Sequence, residues 1–284
     1  MPVKYMKSMT KEAFRDSTTR AVTLLGMSGS GKTTLASKLP RDRWFHYSAD
    51  YRIGTRYLDE PILDNVKKEA MKIPFLATLL RTDSIYLCHN ITINNLAPVS
   101  SFLGMIGDSK KGGLDVEEFK YRQELHREAE VASMYDVRQF IKKTRDLYQY
   151  PYFINDTGGS LCELNNPEVI RQLAEDTLIV YLKPSDSLLS QIVERSLRDP
   201  KPMYFQEGFF NNGVLQYLEQ EHLNSARDII PDRFFAWIFP KLVQHRLPLY
   251  QAIADQYGVA VAADCIDDVS GEEDFIELVC EALP

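Results

Sequence analysis

The segment that most restricts this chain is the apolar run Ala21-Val22-Thr23-Leu24-Leu25, which passes directly into Gly26-Met27-Ser28-Gly29-Ser30-Gly31-Lys32-Thr33-Thr34. The run reads as a buried strand, and Leu35-Ala36-Ser37-Lys38-Leu39 behind it reads as a helix. The turn between them fits G-x-x-x-x-G-K-[ST] in full, in the strand-to-helix context that pattern needs. Its glycines let successive backbone N–H groups turn inward and cradle phosphate oxygens, and the start of a helix adds a positive end. Lys32 is then set to reach the β- and γ-phosphates of a nucleotide, and the Thr33 hydroxyl to ligate Mg²⁺. Gly26, Ser28, Gly29, Ser30, Gly31, Lys32, Thr33 and Thr34 are accordingly the candidate nucleotide-binding residues, with ATP and Mg²⁺ as the expected cofactors.

The rest of the chain supplies a sheet for this loop. Strands are predicted at 44–47, 152–154, 177–182 and 259–262, and the continuously apolar 177–182 is patterned like a strand covered on both faces. Helical spacing dominates 61–150, broken by a glycine-rich segment at 107–113 that reads as a mobile loop. A helix ends near Pro200 and Pro202, a long one spans 231–257 with interruptions expected at Pro240 and Pro248, and a last one covers 272–283. Strands alternating with helices predict an α/β fold with a parallel sheet, in one domain over 1–284 that carries 61–150 as a helical insertion. The charged stretch 117–130 reads as an exposed helical face, within which His126 and Arg127 could instead point into the site, and Phe234-Phe235-Ala236-Trp237-Ile238-Phe239 reads as core packing.

Composition narrows the partners. With 33 basic and 40 acidic side chains the formal charge is −7, which argues against nucleic acid as the main partner. No apolar run approaches the roughly 20 residues that span a bilayer, and the N-terminal segment lacks the apolar centre of a secretory signal. A cytoplasmic protein is expected. Cys88, Cys162, Cys265 and Cys280 are widely spaced and read as free, buried thiols, and the five histidines show no zinc-site spacing.

Among nucleotide-binding classes, Asp156-Thr157-Gly158-Gly159 imitates a GTPase switch, but no N-K-x-D guanine reader follows it. The tandem acidic pair of many motor ATPases is missing too. A kinase acting on a small molecule remains. Asp50, at the end of the second strand, could position or deprotonate an acceptor hydroxyl, or merely cap the next turn. Asp156 could hold Mg²⁺ through water or order the Gly158-Gly159 turn. Arg195, Arg198 and Lys201 cluster beside prolines as a closing lid would, or as a solvated helix end would; Arg195 could instead stack on adenine.

Several separated segments resemble shikimate kinase and its relatives such as gluconate kinase. These are the Gly29-Ser30-Gly31-Lys32-Thr33-Thr34-Leu35 loop, the run from Asp50 to Ile53 that continues through Arg56, the Gly158-Gly159 turn, the strand from Thr177 to Leu182, Lys201-Pro202-Met203, and Arg246-Leu247-Pro248-Leu249-Tyr250. A closer likeness runs to bacterial proteins labelled only as ATPases, which adds no substrate. The kinase resemblance implies a P-loop kinase fold and transfer of a γ-phosphoryl group to a hydroxyl of a small, anionic acceptor. It implies catalytic roles for Lys32, Asp50, Arg198 and Lys201, and acceptor contacts from Asp50, Arg56, Gly158, Gly159 and Arg246, the last as a carboxylate clamp. Thr33, from the loop pattern, and Asp156, from its place at a strand end, are the candidate metal residues. This chain departs from the family at Ser48, where an acidic residue is usual, at Lys201 in place of an arginine, and at Asp156 in place of a small or apolar residue. The alternatives are an ATPase coupled to a protein partner on the 61–150 insertion, a kinase of nucleotides or of a modified base in DNA with Lys110 and Lys111 in a basic groove, and a nucleotide binder without chemistry.

Overall fold

The first strand is apolar on both sides and therefore has to lie where both faces are covered. In the computed structural model, which describes residues 6–284, it does. Strands β1 (Arg20–Leu25), β2 (Trp44–Ser48), β3 (Tyr152–Asp156), β4 (Leu178–Lys183) and β5 (Gly258–Ala262) form one sheet in the order β2-β3-β1-β4-β5. All four pairings are parallel, and β1 is central and buried throughout. Leaving β1, the chain crosses over β3 to β2; it later returns across β1 to β4. The crevice at the carboxyl ends of β1 and β3 is thus a topological switch point, where open α/β sheets bind ligands.

The helices, in chain order, are α1 (Lys11–Arg15), α2 (Lys32–Ser37), α3 (Ala49–Arg52), α4 (Asp59–Ala70), α5 (Pro74–Arg81), α6 (Ala97–Leu103) and α7 (Val116–Asp146), then α8 (Pro167–Asp176), α9 (Asp186–Arg198), α10 (Glu207–Gln220), α11 (Pro231–Tyr257) and α12 (Glu272–Ala282). Val22 and Leu24 pack with Phe14, Leu35 and Phe275 on one face of the sheet, under α1, α2 and α12. Ala21 and Leu25 pack with Met134, Val137, Leu173 and Phe239 on the other, under α7, α8 and α11. A third cluster, Ile53, Leu58, Ile62, Ile91, Val99, Phe102 and Ala129, is the separate core of the insertion.

Helix α7 joins the two regions: Ala129 belongs to the insertion's core, while Met134, Val137 and Ile141 cover the sheet. The 61–150 block is therefore only partly additional to the sheet layers.

Three local expectations need correction. Helix α11 continues through Pro240 and Pro248. A proline forfeits a backbone bond there, and burial of Phe239, Leu242, Val243 and Tyr250 along the same helix holds it together. Segment 107–113 is anchored, since Asp108 N–H donates to the Ile229 carbonyl (2.8 Å) and Gly107 N–H to that of Leu114 (2.9 Å). The cysteines are free, but only Cys280 is fully buried; Cys88 and Cys265 are exposed. No helix among the described residues is long and apolar enough to cross a membrane.

Candidate active site

The phosphate loop owes its shape to backbone torsions that side chains resist. Gly31 has φ +95° and leads into α2, and a Cβ added there would come 2.8 Å from Ile266. Gly159, from the turn after β3, packs so tightly on the loop that a Cβ would lie 2.8 Å from the Ser28 nitrogen. Inside this cradle the Ser30 hydroxyl is buried without a partner. Lys32 is buried as well, its Nζ donating to the carbonyls of Gly26 (2.7 Å) and Met27 (2.9 Å). Burial pulls its ammonium below the ordinary lysine range, and Asp156, Asp50 and Glu130 oppose that pull.

Pairing of β1 with β3 brings Asp156 level with Leu24, two residues before Gly26. The Thr33 Oγ1 donates to Asp156 Oδ2 at 2.7 Å, and His46 Nε2 stands 3.4 Å from the same oxygen. A hydroxyl and a carboxylate converging on one point suit a hard, oxygen-seeking ion such as Mg²⁺, with phosphate and water completing its shell. The orphaned Ser30 hydroxyl and the glycine cradle fit a phosphate chain.

Two cavities meet at this loop. One of about 300 Å³ is lined by Gly29, Ser30, Gly31, Thr34, Arg195 and Asp264. The other, of about 250 Å³, is lined by Met27, Ser28, Asp50, His126, Gly158, Gly159, Lys201 and Arg246, together with an apolar wall. Asp50 stands at the start of α3, but the cap of that helix is Ser48, whose Oγ accepts from Tyr51 N–H at 3.3 Å. Among the described residues the Asp50 carboxylate has no hydrogen-bond partner, which removes the capping explanation for it.

Across from Asp50, Glu130 is fully buried. A Cβ on Gly158 would come 2.6 Å from Glu130 Oε1 and 3.3 Å from Asp50 Oδ1, so the glycine leaves room for both carboxyls. Burial, helped by repulsion from Asp156 and opposed by Lys32, raises the Asp50 pKa to about 6. Burial raises Glu130 to about 8 despite the bond donated by Ser160 Oγ (2.5 Å). His126, one helical turn earlier, is pushed down to about 4 by burial and by Arg246. The charged face read from 117–130 is thus wrong for Arg122, Gln123, His126 and Glu130, which are all buried. Their signal was present in the sequence: at 3–4 residue spacing they share a stripe with Phe119, Val137 and Ile141.

The remaining site residues are dispersed. Arg195 Nη2 is 3.4 Å from the Gly29 carbonyl at the cavity that both residues line. Arg198 and Arg56 are exposed and line neither cavity. Lys201 Nζ pairs with Asp199 at 3.2 Å at the mouth of the Asp50 cavity. The segment after α9 is tied over that cavity: Gln123 accepts from Phe205 N–H (2.8 Å) and donates to the Met203 carbonyl (3.3 Å). Arg246 is buried, and both Nε (2.8 Å) and Nη2 (2.6 Å) donate to Glu163 Oε2, a partner the sequence reading did not identify.

The parallel sheet, the glycine loop between β1 and α2, and the crevice at the switch point define a P-loop NTPase fold with a helical insertion. No protein-family model matches the chain, and no curated protein matches it. Among solved structures it is similar to shikimate kinase from Bacteroides thetaiotaomicron, at 17% identity over 86% of this chain and 87% of that one, with a TM-score of 0.38.

Proposed function

We propose that the chain is a Mg-ATP-dependent phosphotransferase that passes a γ-phosphoryl group to a hydroxyl of a small molecule. The observation that carries this reading is the P-loop standing between two cavities, with an unpartnered carboxylate, Asp50, in the second. An enzyme that only hydrolyses ATP has no need of the second cavity.

Bound MgATP supplies the phosphoryl group and the metal charge that offsets its negative oxygens. The loop amides and Lys32 hold the phosphates, while Thr33 and Asp156 hold the metal. Arg195 flanks the nucleoside cavity, and Lys201 brings positive charge to the mouth of the other. Asp50, largely ionised at neutral pH with a pKa of about 6, orients the acceptor hydroxyl and accepts its proton. Positioning and charge compensation carry most of the rate.

The test is ADP formation by the full chain against sugars, polyols, aromatic alcohols, nucleosides and a DNA duplex, with each product checked for the mass of one added phosphoryl group. Turnover that requires an acceptor and is lost in Lys32→Ala supports the reading. Slow hydrolysis indifferent to every acceptor overturns it. That second result would favour a partner-coupled ATPase, for which the observation is the exposure of Ile73 (52%), Phe75 (70%) and Tyr86 (86%) on the insertion.

A further inference from the structure

We infer that the acceptor is uncharged: an alcohol or polyol that presents a hydroxyl to Asp50, rests its body on an apolar wall, and carries no carboxylate or phosphate of its own. This rests on the phosphotransfer reading and narrows it, replacing the anionic acceptor expected from the sequence.

The charges around the cavity are already paired or screened, apart from Asp50. Among the described residues Arg246 is the only buried cation lining it, and its charge is already matched. Two of its nitrogens donate to one oxygen of Glu163, and Nη2 also donates to the Tyr204 carbonyl at 2.8 Å. Glu163 is 1% exposed, and its other oxygen lies 3.3 Å from His245 Nε2. An incoming carboxylate that reached the remaining guanidinium nitrogen would meet a cation whose charge Glu163 already balances, and one that displaced Glu163 would leave a buried carboxylate without its counter-ion, which low-dielectric surroundings penalise heavily.

The other cation at the cavity, Lys201, is 70% exposed and pairs with Asp199, so it is screened by water and holds no fixed anion site. His126 is kept neutral by burial and stacks on Tyr204 with ring centres 5.9 Å apart. The carboxylate on this wall without a hydrogen-bond partner is Asp50; Glu130, behind Gly158, holds a proton and accepts from Ser160. An anion placed here would meet the Asp50 charge and find, among the described residues, no buried cation on the cavity wall that is not already paired with a carboxylate. Leu96, Val99, Leu103, Phe239, Leu242 and Val243 form an apolar stretch of the wall and offer contact only to an apolar body.

A cationic acceptor fares no better. Its ammonium would neutralise Asp50, the group required as base, and would lose water against that same wall.

The experiment compares para-substituted benzyl alcohols of different charge: 4-(hydroxymethyl)benzamide, its isosteric carboxylate 4-(hydroxymethyl)benzoate, and 4-(aminomethyl)benzyl alcohol. Binding to the full chain, with a non-hydrolysable MgATP analogue present, is read by ligand-observed NMR, and phosphorylation is read separately by mass with ATP. The expected result is at least roughly tenfold tighter binding of the neutral alcohol than of the carboxylate. In Glu163→Gln, which retains an acceptor for Arg246 but removes the charge, the carboxylate gains roughly tenfold on the neutral compound. Tighter binding of the carboxylate or the amine by the wild type overturns the inference, as does failure of all three to bind. Neutral-selective binding with no phosphoryl transfer to any acceptor would sustain the charge argument and instead overturn the phosphotransfer reading.

Discussion

The two sides of the cleft are built by different means. On the donor side, around Gly29, Gly31 and Thr34, position is dictated by glycine torsions and backbone amides within nine consecutive residues, 26–34. On the acceptor side, Asp50 comes from α3, Glu130 and His126 from α7, Gly158 and Glu163 from the turn after β3, and Arg246 from α11. The first arrangement is largely local, with Gly159, Ile266 and Asp156 as its main contacts from outside the loop. The second exists only when four elements dock, and its charges are set by burial. The donor side should therefore be robust and generic, and the acceptor side sensitive and specific.

The largest expected effect that would sharpen this contrast is at Asp50. Asp50→Asn should lower acceptor-dependent kcat by about 10²–10⁴-fold, the range for a lost general base, while leaving the affinity for an ATP analogue unchanged. In the wild type, kcat should rise with pH through an apparent pKa of about 6, and that limb should vanish in the variant. Equal loss of nucleotide affinity would show that the two sides are not separable.

Next comes the pair beneath the acceptor cavity. Glu163→Ala leaves the Arg246 charge buried alone and should cost roughly 3–5 kcal/mol of folding stability, measured by denaturant midpoint. A change below about 1 kcal/mol would mean that water reaches Arg246 and that its charge is not committed.

Glu130 supplies a smaller, pH-dependent effect. Its folded pKa is raised from 4.5 to about 8, so the native state holds a proton that the unfolded chain releases. Its contribution is complete below about pH 4.5 and fades as pH climbs through 8, so stability should fall over that window. At about 1.4 kcal/mol per unit the fall amounts to a few kcal/mol. Glu130→Gln, neutral at every pH, should flatten the dependence. An equal slope in both proteins would place the titrating group elsewhere.

The same contrast explains what was legible in the sequence. The P-loop, the strands and the identity of Asp50 follow from short-range patterns: an apolar run, glycine spacing, a carboxylate at a strand end. Glu163 has no local signature, since its partner lies 83 residues away and the pairing depends on α11 crossing the sheet. Glu130 and His126 were hidden in a charge run: their spacing matches the stripe of Phe119, Val137 and Ile141, but the charges around them outweigh that signal until α7 docks. The prolines of α11 misled for a related reason, as tertiary packing outweighed a local break. Ser48, a departure from the kinase pattern, turned out to be the helix cap that leaves Asp50 unpartnered.

The most direct measurement follows the fate of the γ-phosphoryl group. With γ-labelled ATP and an acceptor from the panel, label should appear on the acceptor hydroxyl in the wild type. It should be nearly absent there in Lys32→Ala and in Asp50→Asn, with only the latter still binding ATP normally. Label recovered as inorganic phosphate at the same rate with or without acceptor would contradict the account.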